Sequence, residues 1–246
     1  MSAVSPVQVR PAGRPMTVAV GGPTGLPDHL VARETLDQLT ISQPCDGTIL
    51  LGFAAPWRPV PVRLFRPEPT RVTLLGGTYI ASLFAFRALA LGALVHVATP
   101  RPRAWRPLAG RETAGRVAIQ PPGSRPPVRG SMQWPVLIVN DTGPEPPDPR
   151  AGGAPWQTTL TVLPELTDAG ETALSHADLV VLHRCLPDEA AVVCHVLDLD
   201  RKHTRWLPAG PEDGLALVTG HQVQYVCVGV TPEEYRMFGS PTRQDR

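Results

Sequence analysis

A chain of 246 residues is long enough for one full α/β domain with additions and too short for two comfortable ones, and its 42% hydrophobic content is enough for a core. A net charge of +1 excludes both the basic excess of a dedicated nucleic-acid surface and the acidity of a solvating chain. The basic residues other than histidine are arginines apart from Lys202, and Pro and Gly are abundant at 30 and 22, a bias that carries no chemistry by itself.

Residues 1–27 are rich in Pro, Gly and small side chains and are predicted to form a flexible arm. Its Gly21-Gly22-Pro23-Thr24-Gly25 run has no lysine and only superficially looks like a phosphate loop. Val18-Ala19-Val20 is too short for the apolar region of a secretory leader. Residues 28–69 read as a lead-in. Leu30, Val31, Leu36 and Leu39 predict a short helix over 28–40, and residues 48–53 and 60–65 predict a hairpin around the turn at 55–59 that forms an edge or a cap.

Residues 70–238 are predicted to be the main domain, organised around 70–100. A β-branched and leucine run over 70–75 stops at Gly76-Gly77, as a buried parallel strand stops at a turn. From 78 to 91 nothing breaks a helix, and Tyr79, Ile80, Leu83, Phe84, Phe86, Leu89 and Leu91 cover most of its circumference, so it should be packed on several sides. Gly92 ends it. A second strand over 95–98 is predicted as the parallel neighbour of the first, reached by a right-handed crossover. The apolar run from 79 to 98 does not read as a membrane span: a central Arg87 costs about 2.5 to 3.5 kcal/mol on insertion, and Gly92 and His96 interrupt it further.

Gly76-Gly77-Thr78 lies at the carboxyl end of a strand and the amino end of a helix, where nucleotide-binding α/β proteins keep their phosphate loop. A working loop reads G-x-x-x-x-G-K-[ST], with lysine neutralising the β and γ phosphates and the hydroxyl holding magnesium. Counted from Gly76, the second glycine is Ala81, the lysine position is Ser82 and the hydroxyl position is Leu83. This reads as a nucleotide site that lacks its charge.

Further along, 101–107 is an arginine and proline segment containing Trp105, 117–120 a third short strand, and 121–130 a loop. The strand over 135–139 ends at Asn140-Asp141. In P-loop ATPases such a strand ends in two acids, the first for magnesium and the second for activating water. Asn140 and Asp141 keep half of that pair, or Asp141 simply caps a turn. A proline-rich loop over 143–154 follows, and this loop and that over 121–130 are either the natural segments for contact with a partner or simple solvated connections. Then come a strand over 158–163, a helical turn over 168–174, a strand over 178–182, and a helix over 187–197 whose first turn holds Pro187, Asp188 and Glu189. A hairpin of 215–219 and 224–228 turns at Gly220-His221, 232–238 is a terminal helical turn, and 239–246 a tail.

The remaining constellations point to no chemistry. Cys45, Cys185, Cys194 and Cys227 contain no C-x-x-C pair, which favours a reduced compartment. His183, Cys185, Cys194 and His195 lack zinc-ligand spacing and predict no metal site. Ser175, His176 and Asp178 are too close in sequence to form a relay, and there is no nucleophile elbow. The five tryptophans lie in or beside proline-rich loops and read as local packing.

The order of strand with glycine turn, helix, strand running into Arg101-Pro102-Arg103-Ala104-Trp105, and hydrophobic strand with Asn140-Asp141 resembles the RecA-type ATPase core of the FtsK, HerA and secretion-coupling ATPase superfamily. The later segment is similar too: Leu182, Arg184, Pro187, Glu189 and Ala190 fall into L-x-R-x-x-P-x-E-A, followed by a helix and a hairpin opening at Gly214-Leu215. The resemblance implies an α/β RecA-like P-loop NTPase fold with a mostly parallel central sheet, a degenerate phosphate loop and small β-hairpin additions at both ends. Ser82, Leu83 and Asn140 depart from it at the functional positions. It therefore implies a cytoplasmic, non-catalytic ATPase-like interaction module, peripheral to a membrane complex, an accessory or regulatory part of a type VII-like secretion or translocase apparatus. Its partner would be a larger secretion ATPase or membrane complex, with no specific nucleic acid and no transmembrane segment. The degenerate site would comprise Gly76, Gly77, Thr78, Ser82, Asn140 and Asp141, with no catalytic residue, no metal and no cofactor beyond weakly held ATP. The alternative is a weak nucleotide-binding protein or sensor using the Gly76-Gly77 turn and Asp141.

Overall fold

The computed structural model describes residues 16–18, 29–31, 46–110, 113–124, 129–149 and 153–240. The chain divides into two compact units, Met1–Gln43 and Pro44–Arg246. In the first, β1 (Met16–Val18) pairs antiparallel with β2 (His29–Val31). The helix expected over 28–40 is thus corrected at its start, where residues 29–31 pair as a strand through their backbone. Residues 32–40, most of the expected arm and the end of the tail lie outside the described residues.

The second unit is built on one ten-stranded sheet. Its strands are β3 (Thr48–Ala54), β4 (Arg58–Arg63), β5 (Thr70–Leu75), β6 (Leu94–Ala98), β7 (Val117–Gln120), β8 (Val136–Asn140), β9 (Gln157–Leu163), β10 (Leu179–Leu182), β11 (Gly214–Thr219) and β12 (Gln222–Val228). Across the sheet they run β4-β3-β12-β11-β10-β5-β9-β8-β6-β7. From β10 to β7 every pairing is parallel; from β10 back to β4 every pairing is antiparallel.

One feature of this order differs from the expectation. The strands β5 and β6 are parallel, yet β9 and β8 lie between them. A strand-helix-strand pattern fixes direction, but which strands fill the gap depends on segments much later in the chain. The two hairpins, far apart in sequence, meet through β12 and β3 and extend the same edge of the sheet.

Helix α1 (Thr78–Ala90) packs on one face. Its Ile80, Leu83, Phe84 and Leu89 share a core with Val72 and Leu74 of β5, Val95 and Val97 of β6, Leu137 and Val139 of β8, and Leu160 and Val162 of β9. Gly92, at φ +84°, turns the chain from the helix into β6, a conformation that only glycine adopts at little cost. The opposite face carries α2 (Asp168–Ser175) and α3 (Pro187–Val196), whose Leu174, Ala190 and Val193 cover Leu75, Leu163, Val180 and Leu182. A one-turn α4 (His203–Trp206) follows, and α5 (Pro232–Phe238) ends the described fold.

Candidate functional site

Strand β5 ends at Leu75 and α1 begins at Thr78, so the turn consists of Gly76 and Gly77 alone. The Gly76 N–H donates to the Leu163 carbonyl at 2.9 Å, and the Leu75 carbonyl accepts from the His183 N–H at 2.9 Å, so the turn is tied to β9 on one side and to the end of β10 on the other. A Cβ at Gly76 would stand 2.9 Å from the His183 Cβ, and this close approach is what requires glycine. Gly77 is the N-cap in extended conformation (φ −86°, ψ 172°), with no side-chain cap and no acid in the first turn. Thr78 is the first helical residue and is half-buried.

Of the eight residues aligned with a phosphate loop, six are therefore helix. Ser82 sits four residues beyond the helix start, about 6 Å along the axis, and is 4% exposed; Leu83 is fully buried. The apolar residues from Tyr79 onward have the sheet to cover, and that packing draws the helix up to the glycine turn.

Asn140 is the last residue of β8, in register with Ala98 and Thr161. The strand β9 separates it from the Gly76 turn, a gap of roughly 10 Å at two strand spacings. Its half-buried side chain lines a cavity on the sheet face away from α1.

Asp141 is 0% exposed and bound to its own neighbourhood. Its Oδ2 accepts from the Thr99 hydroxyl at 2.8 Å and the Trp105 Nε1 at 2.8 Å, and its Oδ1 accepts from Arg101 Nη2 at 2.7 Å. Three of about four lone-pair positions are thus filled, and the charge is matched by arginine. The carboxylate anchors a 3-10 helix, Pro102–Leu108, whose Trp105 and Leu108 are buried. The sequence reading missed these partners. The available signal was an indole N–H and a guanidinium close behind one strand and an acid behind the next, the polar pair that two adjacent parallel strand ends bring together.

The structure thus brings Gly76, Gly77 and Thr78 together and sets Ser82, Asn140 and Asp141 apart from them. His183 and Cys185, set aside as zinc ligands, are buried at the end of β10, while Cys194 is buried and His195 exposed on α3. Among the described residues, no group of His, Cys, Asp or Glu side chains could hold a metal ion.

No family model and no curated protein matches the sequence. Solved structures do. The cytoplasmic domain of the type VII secretion ATPase EccC from Thermomonospora curvata superposes with a TM-score of 0.52 at 14% identity, covering 82% of this chain and 32% of that one. The pCW3 conjugation coupling protein TcpA, in its monomer form with ATPγS, superposes with a TM-score of 0.53 at 10% identity, covering 76% of this chain and 67% of that one. The chain thus spans about a third of the EccC chain it resembles. At these identities the likeness is one of fold: the second unit is a RecA-like, mostly parallel α/β domain of the kind found in secretion ATPases. No helix among the described residues is long and apolar enough to cross a membrane.

Proposed function

We propose that this protein is a non-catalytic ATPase-like module that serves a secretion or translocation apparatus by docking on a larger component. The observation that carries the reading is the two-residue turn between β5 and α1. Catalysis of phosphoryl transfer in this fold depends on a loop that wraps the β and γ phosphates, a lysine to neutralise them and a coordinated magnesium. A two-residue turn has too few N–H groups to wrap a triphosphate, Ser82 is buried inside a helix, and the chain's single lysine, Lys202, lies on an exposed turn between α3 and α4. The acid that would activate water is held by Thr99, Arg101 and Trp105. These residues do not fit a magnesium nucleotide.

An exposed aromatic patch supports the docking half of the reading. Trp57 is 84% exposed and its ring leans on Phe53 at 6.2 Å between centroids. Phe53, together with Trp206 and Tyr225, lines an apolar cavity of about 190 Å³ between β3, β12 and the loop after α4. Contiguous exposed aromatics around a cavity mark an interaction surface more strongly than scattered ones.

Weak nucleotide binding is the second reading. It rests on the α1 N-terminus, which offers first-turn N–H groups with no side-chain cap and no opposing acid. One titration separates the two. Purified protein mixed with ATP, with and without magnesium, should release no phosphate above a heat-killed control and show no saturable binding. Saturable binding without turnover would favour the second reading. Magnesium-dependent turnover that disappears in Asp141→Asn would overturn both.

A further inference from the structure

In a 3-10 helix, side chains three apart line up along one side, and the segment Pro102–Leu108 that follows β6 obeys that rule in three rows. Trp105 and Leu108 are buried, Arg103 and Arg106 form one exposed row, and Ala104 and Pro107 form another. The two arginines therefore leave the backbone on the same side, about 6 Å apart along the axis. Their support is held from below. Asp141 accepts from the Trp105 indole and from Arg101, the Thr99 hydroxyl accepts from the Arg101 N–H at 2.9 Å, and Pro102 and Pro107 restrict the backbone.

Arg101 is paired with Asp141, and Arg116 donates to the Leu89 carbonyl at 2.7 Å. Arg103 and Arg106 have no hydrogen bond or ion pair among the described residues. The charge of the surrounding sequence is one-sided as well. Residues 98–130 contain seven arginines and one acid, Glu112, a net of +6 in a chain of net +1, which leaves −5 for the remainder. This β6 and β7 end of the sheet lies opposite the β4 and β3 edge that carries the aromatic patch.

Guanidinium groups on a rigid support suit carboxylates and phosphates alike, each offering a planar fork of donors. The surroundings select among the anions. The helix exposes no aromatic ring to stack on a base, because its Trp105 is buried. A long polyanion or a charged membrane would extend past the patch and be repelled by the net negative remainder of the chain. The field of the two arginines reaches only about 8 Å at physiological salt, a span that a few consecutive acidic side chains fill.

We propose that Arg103 and Arg106 form a docking point for a short acidic segment, a run of Asp or Glu side chains, on a protein partner. The inference is independent of the aromatic patch and of nucleotide binding.

The test is amide-resolved NMR titration of the full chain with a short oligoglutamate peptide, set beside an oligolysine peptide, a single-stranded oligonucleotide and phosphatidylglycerol vesicles. Oligoglutamate should give saturable shifts at Arg103, Ala104, Trp105 and Arg106 that weaken with added salt, and oligolysine should give none. The double variant Arg103→Gln, Arg106→Gln should bind oligoglutamate about tenfold more weakly, as expected for two exposed ion pairs. Should that variant not fold, Arg106→Gln alone should weaken binding about threefold. No saturable shift with oligoglutamate, binding indifferent to salt, unchanged affinity in the glutamine variants, or tighter binding of the oligonucleotide or the vesicles would each overturn the proposal.

Discussion

Arg87 sits in the last turn of α1 and joins three parts of the chain. Its Nε donates to Glu234 Oε1 at 2.6 Å and its Nη2 to Glu234 Oε2 at 2.9 Å, while Nη1 reaches the carbonyls of Leu50 and Leu51 and Nη2 also that of Gly229. In the sequence this residue counted only as a charge that argues against a membrane span. In the fold it ties α1 to β3 and to the start of α5, with side-chain exposures of 12% for Arg87 and 3% for Glu234. Removing one partner of a buried pair leaves the other uncompensated, so Arg87→Ala should lose about 3 to 5 kcal/mol in urea denaturation. Arg87→Lys, lacking the fork, should recover only part of it. Burial by itself raises the Glu234 pKa, but the hydrogen bonds and charge of Arg87, with the Thr231 N–H and hydroxyl, outweigh it and the net shift is downward. A carboxylate with a lowered folded pKa stabilises in full above its unfolded value, about 4.3. That contribution is lost as pH falls through the folded value. Glu234→Gln should therefore flatten the acid limb of the stability profile, and an unchanged limb would remove Glu234 from the account. Tyr79 is the converse case. Its buried hydroxyl has no hydrogen-bond partner among the described residues, and burial first, then Glu234, raise its pKa. Tyr79→Phe removes an unsatisfied group and should raise stability by about 1 kcal/mol; a loss of similar size would show that the hydroxyl is satisfied.

At the scale of elements, α1 is the part whose character follows most directly from its residues. Ile80, Ala81, Leu83, Phe84, Ala85 and Ala88 are all fully buried, and a helix apolar around most of its circumference has no stable place except between other elements. Leu83→Ala should create a cavity costing about 2 to 5 kcal/mol, read as a lower urea midpoint with unchanged slope; an unshifted midpoint would place the helix at the surface. The β9 strand shows the reverse. The strand over 157–163 was legible as β-branched, but the short polar–apolar alternation of Thr159-Leu160-Thr161-Val162 within it was also in the sequence. That alternation is the mark of a strand with one polar face, and it locates the cavity away from α1. Thr158, on the α1 side, donates to the Leu64 carbonyl at 2.6 Å and so does not disturb that core.

At the scale of the whole molecule, the exposed aromatic patch carries the docking prediction. In a pull-down from the native cell, the wild-type chain should retain a secretion or translocation ATPase, and Trp57→Ala combined with Trp206→Ala should lose it while melting normally. Retention of that ATPase by the double variant would move the contact elsewhere, to the proline-rich loops first. The sequence by itself determined the α/β class, the positions of all ten strands of the main sheet to within a few residues, and the absence of a lysine from the glycine turn. These follow from local rules: side-chain periodicity, breakers at turns, and residue identity at counted positions. Only the tertiary structure decided that β8 and β9 stand between β5 and β6, that two hairpins from distant parts of the chain share one edge, and that Asp141 is closed by Thr99, Arg101 and Trp105. Each of these depends on contacts between residues far apart in the chain. A local pattern states what a segment needs to bury or bond, and the assembled fold decides which distant segment supplies it.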